Sequence, residues 1–399
     1  MQHVVVLGGG VGGTLAANLI ARKLKRQIAA GEAKVTVVDE TGNHAYQPGY
    51  MYIAMGHERP EKLVRPERKL LDGNVELLVD TVERIEAAGQ SVQLASGTRL
   101  DYAQLVIATG SRIMPEEIEH FDTEAHHFYT AEASARLRTA LDAFTGGRIV
   151  IGIAGIPYKC PPAPLEVAFL IESELRERGL REQTELTFLS PINRAFTIES
   201  VSDMATPILE EKGIRLELLA GVAGIDAQRK VVITDAFEEH PYDLLICVPP
   251  HKGAQAVIDS GLAPKSGWLP TDRNSLQVKT VAKPAPGQAD ADIPRFANIF
   301  ALGDATDLPL SKAGSTAHFE APIVAERVAA AVLGREPEGK DAGYTGKVMC
   351  FFEVGDGKGT LLQFDYEHPP KPPKPNRMWH LGKIVFNKTY WHTVPRGRI

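Results

Sequence analysis

The sequence predicts an α/β protein in which short apolar strands alternate with helices in two successive units. A strand at residues 4–7 leads through three spaced glycines into a helical pattern. A later series of strands and helices, between residues 148 and 248, repeats this alternation. The length of 399 residues also exceeds what one hydrophobic core usually holds. We therefore expect two or three domains.

Composition predicts an ordinary globular protein with one unusual end. Apolar residues make up 44% and charged residues 24% of the chain, and no run of about 18 apolar residues could span a bilayer. The first strand begins almost at once, so we expect no export signal and cytoplasmic synthesis. Residues 371–399 carry seven Lys or Arg and no Asp or Glu. Because the net charge of the whole chain is −6, the first 370 residues carry a net charge of −13. This acidic remainder argues against nucleic-acid binding.

The first strand and turn form a phosphate-binding pattern. Gly8, Gly10 and Gly13 follow the spacing G-x-G-x-x-G, which permits a tight turn, close approach of a pyrophosphate and close helix packing. The free N–H groups and positive dipole of the helix N-terminus favour an anion. A second short strand ends in Asp39, which suits the ribose hydroxyls of an adenosine. A glycine-rich turn in an unrelated α/β protein is the alternative.

Two later strands also end in small-residue turns. The strand at residues 105–108 runs into Thr109 and Gly110, and the strand at 298–302 runs into Gly303 and Asp304. Both are apolar and short, as expected of buried parallel strands.

The three segments, in this order and at these separations, resemble the two-dinucleotide-domain flavoproteins. The resemblance implies two Rossmann-like domains of the FAD/NAD(P)-binding type, with FAD pyrophosphate on the first turn and the ribityl chain on Asp304. It also implies that Val82 lies against the adenine by its backbone and that Pro48 lies near the flavin ring.

The second unit lacks the signature of a nicotinamide site. Strands are predicted at 148–154, 185–190 and 242–248, with a helix at 164–178. The turn at 155–164 lacks the second and third glycines, and its prolines remove N–H donors that would bind a pyrophosphate. The next strand ends in Ser-Pro instead of an acid. Nicotinamide binding is therefore not expected.

Three cysteines are too few and too far apart for a disulfide framework or a paired zinc motif, so no metal is expected. Cys160 precedes the helix of the second unit, where the helix dipole would favour a thiolate. Cys350 follows the Gly-Asp segment, and Cys247 lies in a buried strand where packing is the expected role. Inert core packing is the alternative for the first two.

A cysteine before Pro-Pro in the degenerate unit, with a second after Gly-Asp and before aromatics, resembles the sulfide:quinone oxidoreductase family and the flavoprotein of flavocytochrome c sulfide dehydrogenase. The resemblance covers nearly the whole chain. It implies sulfide as substrate, FAD as cofactor and a membrane quinone as acceptor, with Cys160 accepting sulfur and Cys350 acting as the thiolate nearer the flavin. No third cysteine lies between residues 112 and 131, which implies a two-cysteine subtype and leaves covalent attachment of FAD open.

Further site residues follow from this resemblance. Glu166 would hold or shuttle a proton for the thiol, unless it is an exposed helix carboxylate. Lys312 would stabilise the anion of the reduced flavin, unless it is a solvated lysine. The quinone is assigned to Gly314, His318, Phe351 and Phe386, although His318 could equally be a packing residue.

The basic end of the chain predicts a membrane-interface segment at residues 377–399, and hence a peripheral protein on the cytoplasmic membrane. Aromatic and basic side chains are interleaved there: Trp379, Lys383, Phe386, Lys388, Tyr390, Trp391, Arg396 and Arg398. A docking tail for a protein partner or a dimer contact is the alternative, and a homo-oligomer is compatible with the sequence.

We expect an FAD-binding domain at residues 1–112 plus 281–345, a degenerate NAD(P)-like domain at 113–280, and a quinone and membrane-interface region at 346–399. Three rival functions remain open. They are a sulfide dehydrogenase with a cytochrome c acceptor, a type II NADH:quinone oxidoreductase, and a non-catalytic flavoprotein tethered to a complex.

Overall fold

The computed structural model describes residues 1–281 and 293–398. Residues 282–292, within the expected FAD-binding domain, and residue 399, within the expected interface segment, lie outside the described residues.

The strands, numbered in chain order, are β1 (Gln2–Leu7), β2 (Ala33–Asp39), β3 (Asn43–Ala45), β4 (Val64–Pro66), β5 (Val75–Val79), β6 (Val82–Glu86), β7 (Ser91–Leu94), β8 (Arg99–Asp101), β9 (Gln104–Ile107), β10 (Ser111–Ile113), β11 (Ala125–His126), β12 (Gly147–Ile153), β13 (Thr184–Leu189), β14 (Arg215–Glu217), β15 (Val222–Asp226), β16 (Val231–Thr234), β17 (Glu239–Pro241), β18 (Leu244–Val248), β19 (His251–Gly253), β20 (Gln277–Lys279), β21 (Arg295–Ala301), β22 (Val348–Glu353) and β23 (Gly359–Phe364). The α-helices are α1 (Val11–Lys23), α2 (Lys25–Ala29), α3 (Tyr50–Ala54), α4 (Phe121–Glu124), α5 (Ala131–Ala143), α6 (Ala163–Glu177), α7 (Glu199–Glu211), α8 (Gln255–Asp259), α9 (Gly314–Leu333) and α10 (Arg377–Thr393).

The first sheet has the strand order β20-β21-β9-β1-β2-β5, and its strands are parallel except for β20. Helices α1 and α9 pack together over one face, while the sheet β6-β7-β8 and helix α8 lie on the other side. Because both faces are covered, the central strand β1 reads as a continuous apolar run. The predicted strand–glycine turn–helix at the N-terminus is present.

The second sheet has the order β11-β18-β12-β13-β14, and its strands are parallel. Helices α5, α6 and α7 contribute to the core on one face, and the three-stranded sheet β15-β16-β17 packs on the other. The predicted strands and helix of this unit agree with β12, α6, β13 and β18 to within two residues. Cys247 is fully buried in β18.

The return of the chain to the first unit differs from the expected boundary at residue 280. Strands β10 and β19 pair with each other between the two large sheets. After them, α8 packs against β6, and β20 joins the first sheet beside β21. Residues from about 254 to 279 therefore belong to the first core, because their apolar side chains Val257, Leu262 and Leu269 are buried there.

The C-terminal hairpin β22-β23 and helix α10 close the space between the two units. Phe352 and Leu362 of the hairpin enter the second core. On α10, the Tyr390 hydroxyl lies 2.7 Å from Nε2 of His44, which is fully buried. The other ring nitrogen of His44 lies 3.1 Å from a carboxylate oxygen of Glu67. The last helix is thus attached to the first unit through buried polar groups.

Helix α10 corrects part of the membrane-interface prediction. Lys383, Tyr390 and Trp391 are buried, so they do not face lipid. The exposed apolar residues of α10 are instead Met378, Leu381 and Val385, whose side chains are 68%, 58% and 52% exposed. Their spacing of three and four residues places them on one helix face. Within residues 1–281 and 293–398, no helix combines the length and apolar character needed to cross a membrane.

Candidate active site

The turn between β1 and α1 fits a dinucleotide pyrophosphate. A side chain at Gly13 would put its Cβ 1.9 Å from the Gly8 carbonyl oxygen, so this glycine is required by the protein's own packing. A Cβ at Gly10 would meet nothing within 4 Å. The protein alone does not explain the glycine at position 10, whereas a phosphate approaching the helix N-terminus does.

Other expected cofactor residues surround this turn. Asp39 ends β2 beside β1, and one of its carboxylate oxygens accepts the Gly9 N–H at 2.8 Å. Thr109 and Gly110 follow β9, and Gly303 follows β21, so these residues lie at the carboxyl edge of the first sheet. The Thr109 hydroxyl is buried without a protein partner, as expected of a group that contacts a ligand. Val82 begins β6 in the neighbouring small sheet.

A cavity of about 430 Å³ lies between the two units and the C-terminal elements. Ten of the residues assigned from the sequence to the catalytic, cofactor and quinone sites line it: Pro48, Cys160, Glu166, Asp304, Lys312, Gly314, His318, Cys350, Phe351 and Phe386. The remaining ones lie along the pyrophosphate turn and the adjacent strand ends: Gly8, Gly10, Gly13, Asp39, Val82, Thr109, Gly110 and Gly303.

Cys160 differs from the expected helix-terminal thiolate. Helix α6 begins at Ala163, and Cys160 lies before it with a left-handed backbone, φ 51°. Its N–H donates to the Lys312 carbonyl at 2.6 Å. This hydrogen bond joins the loop before α6 to the loop before α9. Burial raises the pKa of the Cys160 thiol, and the nearby Glu166 carboxylate raises it further. Burial and the Glu166 charge thus oppose the thiolate that the helix N-terminus would favour.

Cys350 lies on β22 and faces the same cavity as a free thiol. Its sulfur is 3.1 Å from the Ser315 hydroxyl on α9, and either atom could donate. Burial raises the pKa of Cys350 to about 11, although the hydrogen bond with Ser315 opposes the rise. Ser315 can therefore donate to this sulfur when the thiol loses its proton.

Two buried carboxylates share one buried lysine next to the thiols. Lys383 Nζ lies 2.7 Å from an oxygen of Glu166 and 3.0 Å from an oxygen of Glu353. Burial raises the pKa of Glu166, while the ammonium of Lys383 opposes the rise. Burial also favours protonation of Glu353, but Lys383 and a hydrogen bond from Tyr52 outweigh it, so the pKa of Glu353 is lowered. Glu166 is thus a buried member of an ion-pair cluster and not an exposed helix carboxylate.

Lys312 is buried and is not the solvated lysine of the alternative interpretation. Its ammonium donates to the carbonyls of Asp304 and Thr306 and lies 3.9 Å from the centre of the Trp268 ring. Burial lowers the pKa of Lys312 to about 8. Burial also raises the pKa of Asp304, against the opposing charges of Lys159 and Lys312.

The residues assigned to a quinone lie on α9, β22 and α10. The rings of Phe351 and Phe386 are 6.2 Å apart, and Gly314 is the first residue of α9. Nδ1 of His318 is buried without a partner, and burial lowers the pKa of this histidine. This side of the cavity is therefore aromatic, with the ammonium of Lys347 near His318.

Glu353, Lys159 and the burial of Lys383 were not predicted from the sequence. An acid at the end of the apolar strand Val-Met-Cys-Phe-Phe-Glu indicates a buried carboxylate that needs a cation, and this signal could have found Glu353. Lys159 lines the cavity beside Cys160, and burial lowers its pKa. In the sequence, the position of Lys159 directly before Cys160 could have indicated that this lysine belongs to the site.

The two Rossmann-like sheets and the glycine turn define a flavoprotein-type pyridine-nucleotide fold. The family model described as pyridine nucleotide-disulphide oxidoreductase matches residues 2–158 of this chain.

Individual named proteins are similar to this chain over nearly its full length. The mitochondrial sulfide:quinone oxidoreductase of Mus musculus is 25% identical over 413 residues, covering 99% of this chain and 86% of that protein. The sulfide-quinone reductase of Aquifex aeolicus is 24% identical, covering 100% and 92%. The X-ray structure of the sulfide:quinone oxidoreductase from Aquifex aeolicus matches with a TM-score of 0.80 and 21% identity, over 100% of this chain and 92% of that one. The resemblance to sulfide:quinone oxidoreductases inferred from the cysteine pattern is thus confirmed.

Substituting the two turn glycines should separate folding from cofactor binding. Gly13→Ala should lower the stability by about 1–3 kcal/mol, because its methyl group meets backbone. Gly10→Ala should keep the wild-type melting temperature but bind FAD about tenfold or more weakly, because its methyl group lies where the pyrophosphate approaches. Thermal unfolding and fluorescence titration of flavin-free protein with FAD measure both effects. Wild-type FAD affinity in Gly10→Ala would contradict this cofactor position.

Alkylation should report the raised thiol pKa values in flavin-free protein. Because the pKa of Cys350 is about 11, its reaction with iodoacetamide should accelerate about tenfold per pH unit from pH 7 and level off near pH 11. Mass spectrometry of the labelled peptides measures the rates, with the fully buried Cys247 as an unreactive internal control. A plateau already reached by pH 8 would show that the site stabilises a thiolate.

Proposed function

We propose that this chain is a sulfide:quinone oxidoreductase that uses FAD. The observation that carries the proposal is the common cavity lined by Cys160 and Cys350, at the carboxyl edge of a dinucleotide-binding sheet. Similarity to named sulfide:quinone oxidoreductases over nearly the whole chain supports it.

The thiols carry the sulfur chemistry in this proposal. Hydrosulfide attacks Cys160 in a Cys160–Cys350 bridge, so a new sulfur–sulfur bond forms on Cys160 while the bridge bond breaks. Cys350 leaves as a thiolate, which Ser315 can stabilise by donating its hydroxyl proton in a hydrogen bond at 3.1 Å. Bound FAD supplies the acceptor for the two electrons that leave through Cys350.

The aromatic wall of the cavity supports a quinone as the final acceptor. Phe351, Phe386 and Tyr46 offer flat apolar surface, which suits a planar ring. His318 offers a buried nitrogen without a protein partner, which could hydrogen-bond a quinone oxygen.

Helix α10 supports contact with a membrane surface, which is where a lipid-soluble quinone would be met. One face of the helix exposes Met378, Leu381 and Val385, while Phe386 and Lys383 line the cavity. An exposed apolar face on a helix without acidic residues suits the headgroup boundary. The membrane-contacting group in our proposal is therefore this apolar face, and not Lys383, Tyr390 or Trp391.

The site favours sulfide over NADH as the electron donor. The N-terminus of α6, where a pyrophosphate would bind in a nicotinamide domain, has the carboxylate of Glu166 in its first turn. Pro161, Pro162 and Pro164 also lack the N–H groups that such a ligand requires. A type II NADH:quinone oxidoreductase is accordingly the less favoured function.

Anaerobic mixing should identify the donor. Sulfide should bleach the flavin of the purified holoenzyme within seconds, whereas NADH should not. Cys350→Ser should slow sulfide bleaching by about a hundredfold or more, because no thiolate passes on the electron pair. Stopped-flow absorbance follows the reaction, and Cys247→Ser is the matched control with wild-type rates. Rapid bleaching by NADH, or full-speed sulfide bleaching in Cys350→Ser, would refute the proposed mechanism.

The apolar face of α10 should determine membrane binding. Replacing Met378, Leu381 and Val385 together by Ser should reduce binding to liposomes about tenfold or more, since roughly 25 cal/mol is lost per Å² of apolar area. Liposome flotation measures the bound fraction, and stopped-flow bleaching by sulfide should stay unchanged. Phe237→Ser, which removes a side chain 88% exposed elsewhere, is the control. Unchanged flotation of the triple variant would contradict the assignment.

A further inference from the structure

Four side chains form an unbroken series of polar contacts from solvent to the cavity. Nδ1 of His380 lies 2.7 Å from one oxygen of Glu353, and the other oxygen of Glu353 lies 3.0 Å from Lys383 Nζ. Lys383 Nζ is in turn 2.7 Å from an oxygen of Glu166. Each separation is short enough for direct proton transfer between hydrogen-bonded groups.

The two ends of the series have different surroundings. The side chain of His380 is 29% exposed, whereas those of Glu353 and Glu166 are 2% and 3% exposed. Glu166 lines the cavity together with Cys160 and Cys350, and its charge contributes to the raised pKa of both thiols. The series therefore joins a titratable group in contact with water to a carboxylate beside the thiols.

Three separate elements supply these groups. Glu166 comes from the first turn of α6, and Glu353 ends β22, three residues after Cys350. Lys383 and His380 lie on α10, one turn apart. Two further contacts complete the surroundings: the Tyr52 hydroxyl donates to Glu353 at 2.7 Å, and the Glu353 N–H donates to Glu166 at 2.7 Å.

Oxidation of hydrosulfide requires a route for one proton. When HS⁻ attacks Cys160 and displaces Cys350, the new persulfide on Cys160 retains the hydrogen of HS⁻. As two electrons leave through Cys350, that S–H bond must break for the sulfur to be released or for the bridge to form again. The sulfur lies in a buried site, so the proton needs a nearby base.

We propose that His380 is the solvent end of a proton relay that runs through Glu353 and Lys383 to Glu166; this proposal rests on the proposed sulfide oxidation. Glu166 takes the persulfide proton as an O–H bond forms. Lys383 accepts that proton while passing another of its own to Glu353, and His380 transfers one proton from Glu353 to water. The charges of the three buried groups are restored after each turnover.

A purely structural role for the same contacts makes a different prediction. If His380 only anchors α10 to β22, a neutral side chain that donates to Glu353 should replace it fully. Asn can make such a hydrogen bond but cannot carry a proton at neutral pH. His380→Asn therefore keeps the anchor and removes the relay.

The test uses stopped-flow reduction of the holoenzyme by sulfide. His380→Asn should slow flavin reduction about tenfold to a hundredfold and increase the rate difference between H₂O and D₂O. Added imidazole should restore the rate, because it can enter the partly exposed position of the missing His380 ring and take the proton from Glu353. His392→Asn, an exposed histidine on the same helix, is the matched control and should behave as wild type with no response to imidazole.

Infrared difference spectra of the same reaction give a readout independent of turnover. A transient carboxylic-acid C=O band that shifts in D₂O should persist longer in His380→Asn and be absent from Glu166→Gln. Wild-type rates in His380→Asn, or a slowed rate that imidazole does not restore, would overturn the relay while leaving sulfide oxidation in place. Absence of bleaching by sulfide in the wild-type holoenzyme would instead overturn the proposed function, and the relay with it.

Discussion

The cavity depends on the two ion pairs that the ammonium of Lys383 makes with buried carboxylates. This ammonium lies between a carboxylate of the second unit and a carboxylate of the C-terminal hairpin, and it belongs to the last helix. Removing one member of such a buried group leaves an unpaired charge, which typically costs about 3–5 kcal/mol. The contact therefore fixes the positions of both thiol-bearing segments, because Glu166 and Glu353 each lie a few residues after a cysteine.

Both units contain a strand–turn–helix arrangement. In the first unit the turn suits an anion, whereas in the second it carries a thiol. In the first, Gly10 leaves the helix N-terminus open to an anion. In the second, the turn holds a cysteine, and the first helical turn carries the buried Glu166. A carboxylate at a helix N-terminus satisfies the dipole that would otherwise attract a phosphate. The second unit thus retains the architecture of a nucleotide domain while presenting sulfur and a proton-binding group.

The sequence was most informative where a local pattern determines the structure. The turn at Gly8, the parallel strands and the second unit are governed by glycine conformation and apolar periodicity, which a linear sequence displays directly. Lys383 shows the limit of such patterns. In the sequence it is one of several basic residues among aromatics, but its partner Glu166 is 217 positions away. Likewise, the burial that raises the pKa of Cys160 comes from elements distant in the chain.

The attachment of α10 has a consequence for biosynthesis. Tyr390 and Lys383 reach the first unit and the second unit respectively, and Phe386 and Val394 line the cavity. A nascent chain leaving the ribosome can build both sheets well before these residues emerge. The cavity that holds Cys160 and Cys350, however, acquires its final wall only after residues near 394 have been translated. Partly synthesised chains would therefore carry two thiols without the enclosed environment that controls their reactivity.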